Sequence, residues 1–171
     1  MDKSNQRSAA RFALLLVLLL PACKNVDKTS SFANPLAPID LPDRFDPYPD
    51  NQVLQVAKAK FAEGSYGLAA RYYERAVEVA PTNGEAWLGL ASSYDRVRRF
   101  DLADRAYREA GRYLVKRAEY YNNVGYSYLL RGELAKAQSQ FLKAHELDPS
   151  NPTINNNLQM LRDGLAQAKR T

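Results

Sequence analysis

The sequence predicts an all-α protein, an α-solenoid of three helix-turn-helix repeats followed by a C-terminal capping helix. Three observations support this fold class. Large and small side chains recur after 34 residues, apolar side chains within each unit follow helical spacing, and prolines or glycines stand where helices would end. An ordinary amphipathic helix bundle does not require a shared 34-residue period, so we favour the solenoid over that alternative.

The three repeats are predicted at residues 50–83, 84–117 and 118–151. Matched positions of these units carry side chains of matched size. The fourth position holds Val53, Trp87 and Tyr121, the eighth Ala57, Ala91 and Gly125, the twentieth Ala69, Ala103 and Ala137, the twenty-fourth Tyr73, Tyr107 and Phe141, and the twenty-seventh Ala76, Ala110 and Ala144.

Each unit is predicted to form two packed helices. Spacings of three and four place positions four, seven, eight and eleven on one helical face, and positions twenty, twenty-four and twenty-seven on another. The small residues let the two backbones approach, and the aromatic residue fills the space between units. Gly64 and Gly132 are expected in a left-handed turn between the helices. The second unit is the least regular, with Arg98 at that turn and Val115 where the other units end in proline.

This pattern resembles the tetratricopeptide repeat. The third unit, from Ala118 to Asn151, matches it nearly throughout, at Tyr121, Asn123, Val124, Gly125, Tyr128, Gly132, Ala137, Phe141, Ala144 and Pro149. The stretch after it, residues 152–171, carries Ile154, Leu158, Leu161 and Leu165 at helical spacing. It is therefore expected to cover the exposed apolar side of the last repeat as a capping helix.

The resemblance implies a concave groove, lined by the first helix of each repeat, that binds protein partners. The candidate peptide-binding residues are Lys58, Leu88, Ser92, Asn122, Asn123, Tyr126 and Asn156. Asparagine pairs recur one repeat apart, and amides can bond both the donor and the acceptor of an extended peptide backbone. A structural role for Asn123 and Asn157, as the consensus asparagine of the sixth position, remains equally open. Since Lys58 is the only lysine in the lining, a clamp for a terminal carboxylate is not predicted.

Residues 1–22 have the order of a lipoprotein signal peptide. A polar, basic start precedes the apolar run Phe12–Leu20, which is shorter than the roughly 20 residues that a membrane-spanning helix needs. The segment Leu20-Pro21-Ala22-Cys23 resembles the bacterial lipobox, which implies cleavage before Cys23 and its acylation with palmitate-type chains. The residue after it is Lys24 rather than Asp, which by the same resemblance implies the periplasmic face of the outer membrane. The alternative is a plain signal peptide that leaves Cys23 as a free thiol.

Residues 23–49 are expected to form a tether between Cys23 and the repeats. They contain five prolines and no apolar periodicity, which predicts an extended spacer without helix or central strand. The alternative is that its apolar side chains dock on the folded domain; these are Phe32, Leu36, Ile39, Leu41 and Phe45.

Charge and composition exclude several classes of function. The formal net charge is +5, and loss of three cations and one anion before Cys23 leaves +3, too little to predict a nucleic-acid binder. The basic run from Arg96 to Arg117 is either a solvated helix face or a surface for an acidic partner or lipid headgroups. With a lone His145, one cysteine, no phosphate-binding loop and no metal-ligand spacing, we expect no catalytic residue, cofactor, metal or small-molecule substrate.

The order of these segments resembles that of the small lipoproteins of the tight-adherence (Flp) pilus assembly system. The shared features are a lipobox, a proline-rich spacer, three repeats and a closing helix with the sequence Asn-Asn-Asn-Leu. Pilotin-type lipoproteins of type IV pili have a similar plan with more repeats. The resemblance implies a membrane-anchored scaffold for protein partners in pilus or secretion-complex assembly. A scaffold for peptidoglycan or other envelope enzymes is the alternative.

Overall fold

The computed structural model describes residues 37–168, and these form seven α-helices without a strand. The signal peptide, Cys23 and the tether as far as Leu36 lie outside the described residues. The helices are α1 Val53–Ala62, α2 Tyr66–Val79, α3 Gly84–Arg96, α4 Phe100–Leu114, α5 Ala118–Leu130, α6 Leu134–Leu147 and α7 Pro152–Ala168. The predicted fold class is confirmed: three helical hairpins are followed by a capping helix. No helix among residues 37–168 combines the length and apolar character of a membrane span.

The turn inside each hairpin has the same backbone conformation. Gly64 and Gly132 have φ angles of 79° and 74°, and Arg98 takes the same left-handed region with φ 61°. In each turn the amide that follows this residue donates to a carbonyl five residues earlier, as in Arg99 N–H to Tyr94 O at 2.9 Å. The second repeat therefore forms the standard turn, although a side chain replaces the hydrogen of glycine.

Asparagine residues begin two of the helices. The Asn83 side chain accepts hydrogen bonds from the amides of Glu85 and Ala86 at 3.0 and 3.1 Å, which caps α3. Asn151 accepts from the amides at the start of α7, directly before Pro152. Because proline has no amide hydrogen to satisfy, it suits the first helical position.

Small residues hold the paired helices together as predicted. Ala69, Ala103 and Ala137 are fully buried, and the aromatic residues of position twenty-four are at most 5% exposed. The buried side chains form two clusters, one from α1–α4 and one from α5–α7. In the second cluster α7 contributes Ile154 and Leu158, so the cap covers the last repeat.

Residues 37–50 have no regular secondary structure, but they pack on the domain instead of forming a free spacer. The Ile39 amide donates to Val97 O at 2.8 Å, and Arg99 binds the Asp40 carboxylate at 3.0 Å. Further along, Phe45 and Tyr48 both contact the Tyr72 ring edge-on, at centroid distances of 5.1 and 5.6 Å. Residues 37–50 thus follow the alternative in which the tether docks on the folded domain. Phe32 and Leu36, which it also included, lie outside the described residues.

Candidate functional site

A cleft of about 410 Å³ lies along the first helices of the three repeats. Its walls combine apolar side chains, such as Phe61 and Leu88, with polar ones, such as Ser92 and Asn123. Tyr73 and Tyr107 reach it from the second helices and close its floor. The cleft is therefore mixed in chemistry, which is typical of a surface that binds both side chains and backbone.

Gly89 makes the central part of the floor. A Cβ atom at this position would lie 2.2 Å from Cζ of Tyr73, so any side chain would displace that ring. Gly89 is the sixth position of its repeat, which in the third repeat is Asn123. The absence of a side chain lets Tyr73 pack under α3 and widens the cleft at this point.

Asp95 is a buried carboxylate at the inner end of the cleft, only 3% exposed. Its Oδ2 accepts a hydrogen bond from the Tyr107 hydroxyl at 2.8 Å, and its Oδ1 accepts from Ser127 at 2.7 Å. Burial raises the pKa of Asp95 from 3.8 to about 6, although both hydrogen bonds and Arg131 act in the opposite direction. The two donors come from the second and third repeats, so Asp95 links these repeats across the cleft.

Arg131 supplies the positive charge closest to Asp95, with Nη2 4.0 Å from Oδ1. Its guanidinium donates to Asp104 at 2.6 and 3.0 Å and lies over the Phe100 ring at 5.0 Å. The same group donates to Ser127 Oγ at 2.7 Å. Arg131 is thus held by groups from α4 and α5 and helps to fix the junction of the second and third repeats.

The cation predicted in the groove is already paired within the chain. Lys58 Nζ lies 2.7 Å from Glu85 Oε1, across the space between α1 and α3. Both side chains are well exposed, so the pair adds little stability and can exchange with a charged group of a ligand. Arg96, which was not among the predicted groove residues, also lines the cleft and stacks on Tyr66, with its guanidinium carbon 4.3 Å from the ring centroid.

The asparagine side chains make hydrogen bonds between helices. Asn123 Nδ2 donates to Ser92 Oγ at 3.2 Å, and Asn157 Nδ2 donates to Asn122 Oδ1 at 2.8 Å. These bonds favour the structural role for the sixth-position amides. The bond to Ser92 uses one amide hydrogen of Asn123 and leaves Oδ1 and the second amide hydrogen outside it. Contact of these two atoms with the backbone of a bound peptide stays a prediction.

The structure brings together most of the predicted groove residues. Those that line the cleft are Lys58, Leu88, Ser92, Asn123 and Tyr126. Asn122 lies beside the cleft in its bond to Asn157, and Asn156 is exposed on α7. Tyr73, Tyr107 and Gly89 also line the cleft, although they were not predicted from the sequence. Asn123 and Asn157 carry an amide at the sixth position and Gly89 carries no side chain. This difference in the sequence could have indicated an opening at Gly89.

Comparison with known proteins identifies the repeats. Two family profiles described as "Tetratricopeptide repeat" match residues 50–93 and 118–151. Tetratricopeptide repeat protein 7B of Homo sapiens is 29% identical over 109 residues, which cover 63% of this chain and 13% of that protein. The chain spans between 13% and 34% of the lengths of the curated relatives it matches.

Solved structures show the same fold at low sequence identity. The first TPR domain of human RPAP3 superposes with a TM-score of 0.63 at 21% identity, covering 71% of this chain and 96% of that domain. The type III secretion chaperone SycD of Yersinia enterocolitica, solved in complex with a peptide of the translocator YopD, gives a TM-score of 0.57 at 21% identity. That match covers 66% of this chain and 91% of SycD.

Tetratricopeptide-repeat proteins act as protein–protein interaction scaffolds, and such scaffolds are in general not enzymes. The matched segments include the first and third helical hairpins, and the second has the same turn and the same buried alanines. This chain therefore contains tetratricopeptide repeats, arranged as an all-helical solenoid.

Proposed function

We propose that this protein is a lipid-anchored docking platform whose cleft holds an extended segment of a partner protein during assembly of a pilus or secretion complex in the cell envelope. The observation that carries the docking role is the cleft between α1, α3 and α5. Phe61 and Leu88 offer apolar contact there, and Ser92 and Asn123 offer hydrogen bonds. The partner's segment would thus be held by side chains and by backbone.

The size of the cleft fits a peptide segment better than a folded domain. A volume of about 410 Å³ takes a few side chains, within the usual range for pockets that enclose small ligands. The SycD structure supports this mode, because that neighbour carries a peptide of its translocator. A catalytic role for Asp95 has less support, since Tyr107 and Ser127 already occupy its two oxygens.

The membrane anchor and the assembly role rest on the sequence. The lipobox-like segment before Cys23 supports acylation, and the order of anchor, spacer and repeats supports an envelope assembly factor over a freely diffusing scaffold. On this proposal the protein lies on the periplasmic face of the outer membrane. It would present its cleft to subunits that reach that membrane.

Affinity capture tests the cleft. The full chain carrying Leu88→Ala and Tyr126→Ala is expected to recover at least about tenfold less partner from cross-linked membranes, because hot-spot side chains at the centre of an interface cost over about 1 kcal/mol each when truncated. The matched control is Leu142→Ala with Met160→Ala, two exposed apolar side chains on α6 and α7. Equal recovery by both double variants, with unchanged circular dichroism, would remove the cleft as the docking site.

A second experiment tests the anchor and the biological role. Cys23→Ser should abolish incorporation of labelled palmitate, because the only cysteine of the sequence is then lost. Capture of a secretin or a pilus subunit supports the assembly role. Capture of peptidoglycan hydrolases in its place would assign the platform to cell-wall enzymes and overturn the assembly role.

A further inference from the structure

The outward face of α4 differs from the corresponding faces of the other second helices. Spacings of three and four place positions twenty-two, twenty-five and twenty-nine of each repeat on one face of its second helix. They hold Arg71, Glu74 and Glu78 on α2, Arg105, Arg108 and Arg112 on α4, and Ser139, Leu142 and Glu146 on α6. Only α4 has three cations at these positions, and all three are exposed.

The arginines on α4 have fewer carboxylate partners than those on α2. On α2, Arg71 pairs with Glu74 at 3.0 Å, and the neighbouring Arg75 pairs with Glu78 at 3.1 Å. On α4, Arg112 has a carboxylate partner in Glu109 at 2.8 Å. Within residues 37–168, Arg105, Arg108 and Lys116 have no carboxylate within 4.0 Å.

The wider charge distribution shows the same asymmetry. Residues 96–117 contain eight Lys or Arg against three Asp or Glu. The rest of the described chain contains nine basic residues against fourteen acidic ones. The positive charge is therefore concentrated in α4 and the residues next to it, and a surface potential of this kind attracts an anionic partner.

Two exposed apolar side chains lie at the C-terminal end of this face. Tyr113 is 44% exposed and Val115 is 51% exposed, next to Arg112 and Lys116. Aromatic and aliphatic side chains beside lysine and arginine are typical of surfaces that lie at a membrane interface. We call the surface formed by Arg105, Arg108, Arg112, Tyr113, Val115 and Lys116 the basic face of α4.

The path of the N-terminal segment brings this face within reach of the anchor. The hydrogen bond from Ile39 to Val97 and the pair between Asp40 and Arg99 fix the chain beside the first turn of α4. Ala37 is fourteen residues from Cys23, a distance of at most about 50 Å when fully extended. The basic face would thus lie within reach of the bilayer that holds an acylated Cys23.

We propose that the basic face of α4 binds anionic phospholipid headgroups and orients the domain on the membrane. The cations bind headgroup phosphates, and Tyr113 and Val115 enter the boundary between headgroups and acyl chains. Tyr107 points from the same helix into the cleft, about half a turn away from Arg105, so headgroup binding leaves the cleft open to its partner. This surface is separate from the cleft, and its role goes beyond the proposed docking function.

Vesicle flotation tests this proposal without the lipid anchor. The chain from residue 23 onward, with Cys23→Ser, keeps all of the described residues 37–168. It should float with vesicles that contain phosphatidylglycerol and not with phosphatidylcholine vesicles. At about fivefold per cation, Arg105→Gln with Arg108→Gln should lower the partition coefficient about 30-fold. Tyr113→Ser should weaken binding further, and added salt should reduce the effect of the arginine substitutions.

The matched control is Arg44→Gln with Arg162→Gln, which removes the same charge from two exposed sites outside the basic face. This variant should keep nearly all of its vesicle binding. Equal binding to both kinds of vesicle, or an equal loss in both double variants, would overturn the proposal. The proposal would also be overturned if the Arg105→Gln, Arg108→Gln variant kept its vesicle binding but lost binding to polyglutamate, because the face would then bind an acidic protein. Partner capture through the cleft is measured separately, so failure here leaves the docking proposal intact.

Discussion

Replacing Arg98 with glycine is expected to stabilise the domain. Arg98 adopts φ 61° in a turn where the other two repeats have glycine. A side chain in the left-handed region costs about 1–2 kcal/mol, whereas glycine adds about 0.4–1 kcal/mol of conformational entropy to the unfolded chain. The difference predicts that Arg98→Gly raises the free energy of unfolding by about 0.5–1 kcal/mol. The gain comes entirely from the backbone.

The two glycine turns provide the reciprocal experiment. A Cβ atom at Gly64 or Gly132 would meet no atom within 4 Å, so Gly64→Ala and Gly132→Ala report only the cost of the backbone angle, about 1 kcal/mol of lost stability. Urea unfolding followed by far-ultraviolet circular dichroism measures all of these variants. Arg98→Ala is the control for loss of the guanidinium. If Arg98→Gly is no more stable than Arg98→Ala, the argument from backbone strain is wrong.

Three further changes test the core, the cleft and the docked segment. Because burial raises the pKa of Asp95 to about 6, its ionised form costs stability above that pH. The wild type should therefore gain about 2 kcal/mol relative to Asp95→Asn as the pH falls from 7 to 4, measured by urea unfolding at each pH. Ala137→Leu, which inserts a side chain beside Phe141 in the second core, should lower the free energy of unfolding by about 1–3 kcal/mol; an unchanged midpoint would contradict close helix packing there. Tyr72→Ala removes the ring between Phe45 and Tyr48, so proteolysis within residues 37–50 should accelerate while the repeats stay folded.

The fold could be predicted because each repeat contains the small and aromatic residues that pack its own two helices together. Ala137 and Phe141 are fully buried at the positions where the 34-residue pattern places a small and an aromatic side chain. The contacts that matter for this prediction lie within one hairpin or between neighbours, so helical periodicity is enough to find them. The turn at Arg98 was also placed correctly, although its chemistry departs from the pattern.

The details of the cleft depend on contacts that the period does not encode. Helical spacing places Asp95 on the first helix of its repeat, but it does not reveal that the carboxylate is nearly inaccessible to solvent. Its hydrogen-bond donors, Tyr107 and Ser127, are twelve and thirty-two residues away. The width of the cleft at Gly89 depends in the same way on the Tyr73 ring of the preceding repeat.

The docked segment was left open for a different reason. Its prolines exclude helix and central strand, but they leave every carbonyl free to accept a hydrogen bond. Arg71 uses the Pro42 carbonyl in this way at 2.9 Å, and Tyr72 uses that of Asp46 at 3.0 Å. Such contacts follow no sequence period and could be found only from the packed structure.

The Asp95 cluster also limits how the repeats can be exchanged. In many solenoids neighbouring repeats can be swapped or duplicated, because each interface resembles the next. Here the second repeat carries a carboxylate whose solvation is completed by the Ser127 hydroxyl and the Arg131 guanidinium of the third. A different unit in that place would leave the buried carboxylate with only the Tyr107 hydroxyl as a donor, so electrostatics favours the present order of these two repeats.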